Sequence, residues 1–225
     1  MVTYYTALGR MITKTEEGHK IPLIIVEGTE YQMSVDELII WGSLHWNFLD
    51  KDAIEKEYIR RKTDNRIFND TSFEQTLKRL EIRGLVVSGT DYLAADALYK
   101  LISKLKIRPV RFSFVDKIKS MVYLYFEKGV PLAKCYASYF GTDYTENEKN
   151  VLRISKCVAI TPSEIIRCAE TKIKNIKDEE DLIEKVYGND DIESITINAR
   201  FSELKSEVIK AVANLYLKKK IVFEN

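Results

Sequence analysis

The run Thr71-Ser72-Phe73-Glu74-Gln75-Thr76-Leu77-Lys78-Arg79-Leu80-Glu81-Ile82-Arg83-Gly84-Leu85-Val86-Val87 constrains the fold of this 225-residue chain more than any other stretch. Phe73, Leu77 and Leu80 recur at helical spacing, so they share one face of a helix over 71–83. Gly84 stands just past that helix. Glycine is favoured there because it enters the left-handed conformation without a Cβ penalty. Leu85-Val86-Val87 is β-prone. A helix that stops sharply and returns as a strand needs neighbouring helices to complete a small shared core.

Two helices are available upstream. Ser34 followed by Glu37 is a capping box, in which serine accepts from a free amide and glutamate reaches back. Leu38, Ile39, Trp41, Leu44, Phe48 and Leu49 then form an apolar face. Asp50 can cap a second helix over 51–62, with Ala53, Ile54, Tyr58 and Ile59 inward, before Thr63-Asp64-Asn65 breaks it. Downstream, Ser88-Gly89-Thr90-Asp91 has turn chemistry, and Tyr92-Leu93 can return as a second strand. A helix over 94–105 turns Leu98, Leu101, Ile102 and Leu105 inward and stops at Pro109.

In this order of elements, and in its Leu-x-x-Leu-Glu-x-Arg-Gly-Leu pattern, the stretch 34–107 resembles bacterial winged-helix transcriptional regulators. The resemblance covers about a third of the chain and is at superfamily level. It implies that the helix at 71–83 enters the major groove of double-stranded DNA, with Thr71, Ser72, Gln75, Lys78 and Arg79 on its outer face. Gln pairs with adenine; Lys and Arg reach guanine or phosphate. Ser72, near the helix start, suits a phosphate. Arg60, Arg61, Lys62 and Arg66 are expected at backbone phosphates. Two half-sites imply a homo-oligomer. The implied wing tip, Gly89-Thr90-Asp91, carries one acid and no base.

The remainder divides into three parts. Residues 1–33 read as a β-rich arm, with Tyr4-Tyr5-Thr6 and 21–26 strand-like around a turn at 17–20. Residues 111–143 are an aromatic linking and packing segment, in which 121–126 is the candidate self-association surface. Residues 144–225 read as a helical domain, one arrangement of which is a second winged-helix-like module. Thr145 with Glu148 caps a helix over 146–157, and Thr161-Pro162-Ser163 opens another through Glu170. A third spans 178–187, ended by Gly188. A fourth spans 201–220, with Leu204, Val208, Val212, Leu215 and Tyr216 inward. Ile221-Val222-Phe223 is strand-like. The expected fold class is mainly α with small β elements: a winged helix-turn-helix module at 34–110 and a C-terminal helical domain.

Charge limits the partners. Thirty-five basic residues face thirty-four acidic ones, a net +1, so any polyanion contact rests on local patches. Residues 100–134 hold nine basic against two acidic residues, and 178–193 eight acidic against one lysine. Lys218, Lys219 and Lys220 read as solvated lysines at a helix C-terminus, where the dipole favours them. Cys135, Cys157 and Cys168 have no metal-ligand spacing and suit a reducing compartment, so no metal or other cofactor is expected. Without a secretory leader or a bilayer-length apolar run, a cytoplasmic protein free of the membrane is expected. The only histidines are His19 and His45, and no hydrolase, zinc-protease, dinucleotide or P-loop string occurs, so no enzyme activity is expected. The reading is a sequence-specific, double-stranded DNA-binding transcriptional regulator, its effector unspecified. A protein-interaction adaptor on the same scaffold and a nonspecific DNA-binding accessory factor remain as alternatives.

Overall fold

The computed structural model describes residues 1–16, 18–67, 69–110, 131 and 143–225. These fold into helices and small antiparallel sheets. Val2–Ala7 (β1) pairs with Val86–Asp91 (β5), placing Tyr4 opposite Gly89. Arg10–Glu16 (β2), His19–Val26 (β3) and Thr29–Gln32 (β4) form a meander. The expected hairpin around Gly18 therefore exists, but β2 and β3 make it. Tyr4-Tyr5-Thr6 belongs to a different sheet, because its partner lies far along the chain.

Val35–Leu44 (α1) starts on the reciprocal capping box: the Ser34 amide donates to Glu37 Oε2 at 2.8 Å and the Glu37 amide to Ser34 Oγ at 3.3 Å. The helix ends at His45, so Phe48 and Leu49 lie beyond its stripe. Leu49 instead exchanges backbone hydrogen bonds with Tyr5. Asp50 caps Lys51–Asp64 (α2) through the Ala53 amide. Ile54 and Tyr58 point inward as expected, whereas Ile59 is exposed. Phe73–Ile82 (α3) buries Phe73, Thr76, Leu77 and Leu80 against α1 and β5. Its end is a Schellman turn: Gly84 adopts φ +66° and donates to Glu81 O, while Leu85 donates to Leu80 O.

The expected wing is not formed. Ser88-Gly89-Thr90-Asp91 is not a turn but the body of β5, and Tyr92-Leu93 is an exposed lead into Ala94–Ile102 (α4) rather than a returning strand. The glycine serves closeness instead of turning. A Cβ on Gly89 would lie 2.5 Å from Leu101 N and 2.6 Å from Ala97 O, so α4 packs backbone to backbone on the strand. Pro109 does not cap a helix; it closes Lys106–Pro109 (β6).

Thr145 and Thr161 both form capping boxes, opening Glu146–Ser155 (α5) and Pro162–Glu170 (α6). Glu179–Leu182 (α7) continues into a wide π-type turn, Ile183–Tyr187, closed by Gly188. A helix, Ile192–Arg200 (α8), follows, with the exposed Phe201 after it; the helix expected over 201–220 is Lys205–Leu217 (α9), shorter at both ends. Ile221–Glu224 (β7) pairs with β6, and Ile107 of β6 also bridges Ile160.

One core runs through these elements and includes Trp41, Leu80, Ile102, Tyr216 and Phe223. Tyr216 Oη accepts from Thr6 Oγ1 at 2.9 Å and from the Trp46 amide at 3.0 Å, tying α9 to β1 and to the end of α1. Residues 34–110 and 144–225 thus share a sheet and a core. The segment 121–126, the candidate self-association surface, lies outside the described residues, as does Cys135. No helix among the described residues is long and apolar enough to cross a membrane.

Candidate nucleic-acid interface

α3 buries one face and leaves the other free. Ser72, Gln75 and Ile82, with Lys78 and Arg79 each three or four positions from both Gln75 and Ile82, form one stripe along the helix. All five are exposed, Ile82 to 77%. Among the described residues, Gln75, Lys78 and Arg79 have no side-chain hydrogen bond or ion pair. Ser72 occupies the N-cap position without a side-chain cap bond, so its hydroxyl is also uncommitted. Thr71 is exposed at the helix approach, and its carbonyl accepts from Tyr58 Oη at 3.3 Å. The stripe is flanked by acids already engaged: Glu74 with Lys51, and Glu81 with Ser88 Oγ.

The approach to α3 is held by a buried carboxylate. Asp36 of α1 accepts from Tyr58 Oη and Asn69 Nδ2, each at 2.6 Å, and Lys62 Nζ lies 3.3 Å away. Burial opposes ionisation of Asp36, but the hydrogen bonds from Tyr58, Asn69 and Lys62 outweigh it and hold the carboxyl below its ordinary range. Burial and the same carboxylate push the Tyr58 phenol up. This cluster joins α1, α2 and the 65–72 connection, and so sets where α3 begins. The Tyr58 and Phe73 rings, 5.5 Å apart, complete the join.

That cluster changes the picture of the basic approach. Lys62 points inward to Asp36 and Asn69, with only 14% of its side chain exposed, and so does not lie open to a phosphate. Arg60 and Arg61 both bond Glu57, and Arg60 also bonds Asp64. Hydrogen bonds from Arg60 and Arg61 lower the Glu57 pKa to about 2. The local charge on α2 is therefore largely cancelled. Arg66 remains exposed, just after the helix, at φ +55°. Of the nine positions expected to meet DNA, the structure brings Thr71, Ser72, Gln75, Lys78 and Arg79 onto one surface and directs Lys62 away from it. Ile82 belongs to that surface and was not anticipated; its place two turns beyond Gln75 was the available signal.

The other charge features resolve into pairs. In the basic stretch 100–134, Lys100 meets Asp91, Lys104 meets Glu193 of the acidic stretch at 3.6 Å, Lys106 meets Glu27 and Arg108 meets Glu224. Arg111, Lys117, Lys119, Lys128 and Lys134 lie outside the described residues. Lys218 is not simply a solvated helix-end lysine: it bonds the fully buried Glu148 at 2.8 Å. Lys219 lies over the Trp46 ring. Cys157 is exposed; Cys168 is buried, and burial pushes its thiol up to about 12. Compared with known proteins, the chain matches no family, no curated protein and no solved structure.

Proposed function

We propose that the chain binds double-stranded DNA by laying the outer stripe of α3 in the major groove, and acts as a winged-helix-type transcriptional regulator. The observation that carries this reading is the stripe itself. Ser72, Gln75, Lys78 and Arg79 are exposed on one face, and both cations are unpaired among the described residues. Gln75 suits an adenine edge, Lys78 and Arg79 suit guanine or phosphate, and Ile82 suits a thymine methyl.

In this reading the β2–β3 ribbon replaces the wing missing at 88–93. Residues 13–16 and 18–20 are all exposed, so the ribbon projects, and it carries His19 and Lys20 beside Lys14, which is paired with Glu30 at 3.2 Å. Its sheet is fixed to the end of α3 by Arg83, which donates to Gln32 O at 2.7 Å and lies over the Tyr31 ring. A protein-interaction adaptor is the second reading. Tyr92, Leu93 and Phe201 favour it: all are at least 65% exposed, and the Asp91–Arg200 ion pair holds their two segments together.

Fluorescence anisotropy with labelled random duplex DNA, titrated with salt, tests the proposal. Binding at low salt should weaken steeply as salt rises. Replacing Lys78 and Arg79 together by alanine should reduce the log–log salt slope by roughly 2, one phosphate-scale contact each. A selected duplex should then bind more tightly than random sequence. Absence of binding at low salt would overturn the reading and favour the adaptor.

A further inference from the structure

On the side of the fold formed by the start of β2, the end of α1 and the β6–β7 pair lies a cleft of about 700 Å³. That is the size of a small-molecule pocket. Its walls include Met11, Ile12, Trp46, Pro109 and Val222. Three charged groups in it form pairs or belong to pairs: Glu224 with Arg108 at 3.1 Å, and Glu27 with Lys106 at 3.0 Å. Arg10 is the exception. It lines the cleft, and no ion pair or hydrogen bond engages its guanidinium among the described residues. The uncompensated charge of the cleft is thus a single positive one.

Arg10 is also placed firmly. The preceding Gly9 has φ +79°, and its amide donates to Phe223 O at 2.8 Å. A Cβ on Gly9 would lie 2.2 Å from Ile25 O, so only glycine permits this path into β2.

Two further residues that line the cleft are unusual. Trp46 holds φ +63°, a conformation costly for a bulky side chain. It is kept there by hydrogen bonds from its amide to Tyr216 Oη and from its indole to Ile221 O at 3.1 Å. Strain of this kind concentrates at functional sites. His45 beside it has a solvent-inaccessible Nδ1 with no hydrogen-bond partner. Placing the ring proton on Nε2 leaves only a lone pair orphaned at Nδ1, and makes Nε2 a donor on a ring that lines the cleft.

We propose that this cleft is a binding site for a small apolar monocarboxylate, its carboxylate held by Arg10 and its apolar body packed between Met11, Ile12 and Trp46. Binding at this cleft is read without DNA, so its outcome is separate from that of the DNA-binding test. The chain has only two tryptophans, so two indole N–H signals report on it by NMR. Trp41 is buried and bonds Leu8 O, while Trp46 lines the cleft. Sodium salicylate and sodium octanoate, titrated separately, distinguish an aromatic from an aliphatic ligand. The expected result is a saturable shift of the Trp46 signal with at least one of them, the better binder naming the subclass. Arg10→Gln should weaken that binding about tenfold, as expected for loss of a charge-assisted contact, and Arg10→Lys should restore part of it. The corresponding amides should bind the wild-type protein weakly. No saturable shift with either acid would overturn the proposal. So would equal shifts with acid and amide that Arg10→Gln leaves unchanged.

Discussion

His45 stacks on Trp41, with ring centroids 4.3 Å apart, and Trp46 lies against it at 3.7 Å. Burial first, and the positive charge of Lys219 second, lower its pKa from 6.5 to about 4. In the unfolded chain the same ring takes its proton near the ordinary value. Between those two values the unfolded state therefore binds a proton that the folded state refuses, and folding weakens as pH falls through this window. Each tenfold change in proton affinity is worth about 1.4 kcal/mol, so the full effect is on the order of 3 kcal/mol. His45→Phe keeps an aromatic ring in the stack and removes the titration. Urea denaturation between neutral pH and about pH 4 should show a shallower acid loss in that variant. If both proteins lose stability in parallel across that range, His45 is not the group responsible.

Two glycines show why elements differ in how well sequence announces them. Gly84 works locally: the Schellman bonds that need its positive φ close within one turn of α3, and the residue pattern displays them. The capping boxes at Ser34, Thr145 and Thr161 are legible for the same reason. Gly89 works at long range. Its neighbours are the backbone of α4 on one side and, through pairing, Tyr4 on the other, so a sequence reader sees turn chemistry where there is a strand. The inward direction of Lys62 is equally invisible in sequence, because it depends on Asp36 of another helix. The stripe of α3 was legible because helical periodicity alone sorts buried from exposed positions. The packing reading of Gly89 makes a quantitative distinction. Gly89→Ala forces α4 off β5, and the backbone atoms it meets cannot rotate away, so the expected loss is about 3 kcal/mol or more. Gly18→Ala, at φ +81° with open space around it, should cost only about 1 kcal/mol from backbone strain. Chemical denaturation of both variants compares them; equal losses would contradict the close packing of α4 on β5.

The whole molecule is closed by its last elements returning to its first. β7 pairs with β6, Phe223 O receives the Gly9 amide, Ile221 O receives the Trp46 indole, and Tyr216 Oη receives both Thr6 Oγ1 and the Trp46 amide. A chain joined in this way should unfold as one unit, although its sequence reads as successive modules. The tryptophans make this testable: Trp41 is buried within α1 and bonds Leu8 O, and Trp46 sits just past its end, so their fluorescence follows the α1 region. Far-ultraviolet circular dichroism reports on every helix. The two thermal transitions should coincide in the wild-type protein. Tyr216→Phe, far along the chain in α9, removes the acceptor of the Trp46 amide; Thr6 keeps a second acceptor in Asn47 O at 3.0 Å. The expected loss is about 1–3 kcal/mol, the cost of one unsatisfied buried donor. Because the lost bond belongs to a shared core, both transitions should move down together. A circular dichroism transition that shifts while the tryptophan transition stays in place would instead mean that the C-terminal helices unfold independently of the α1–α3 cluster.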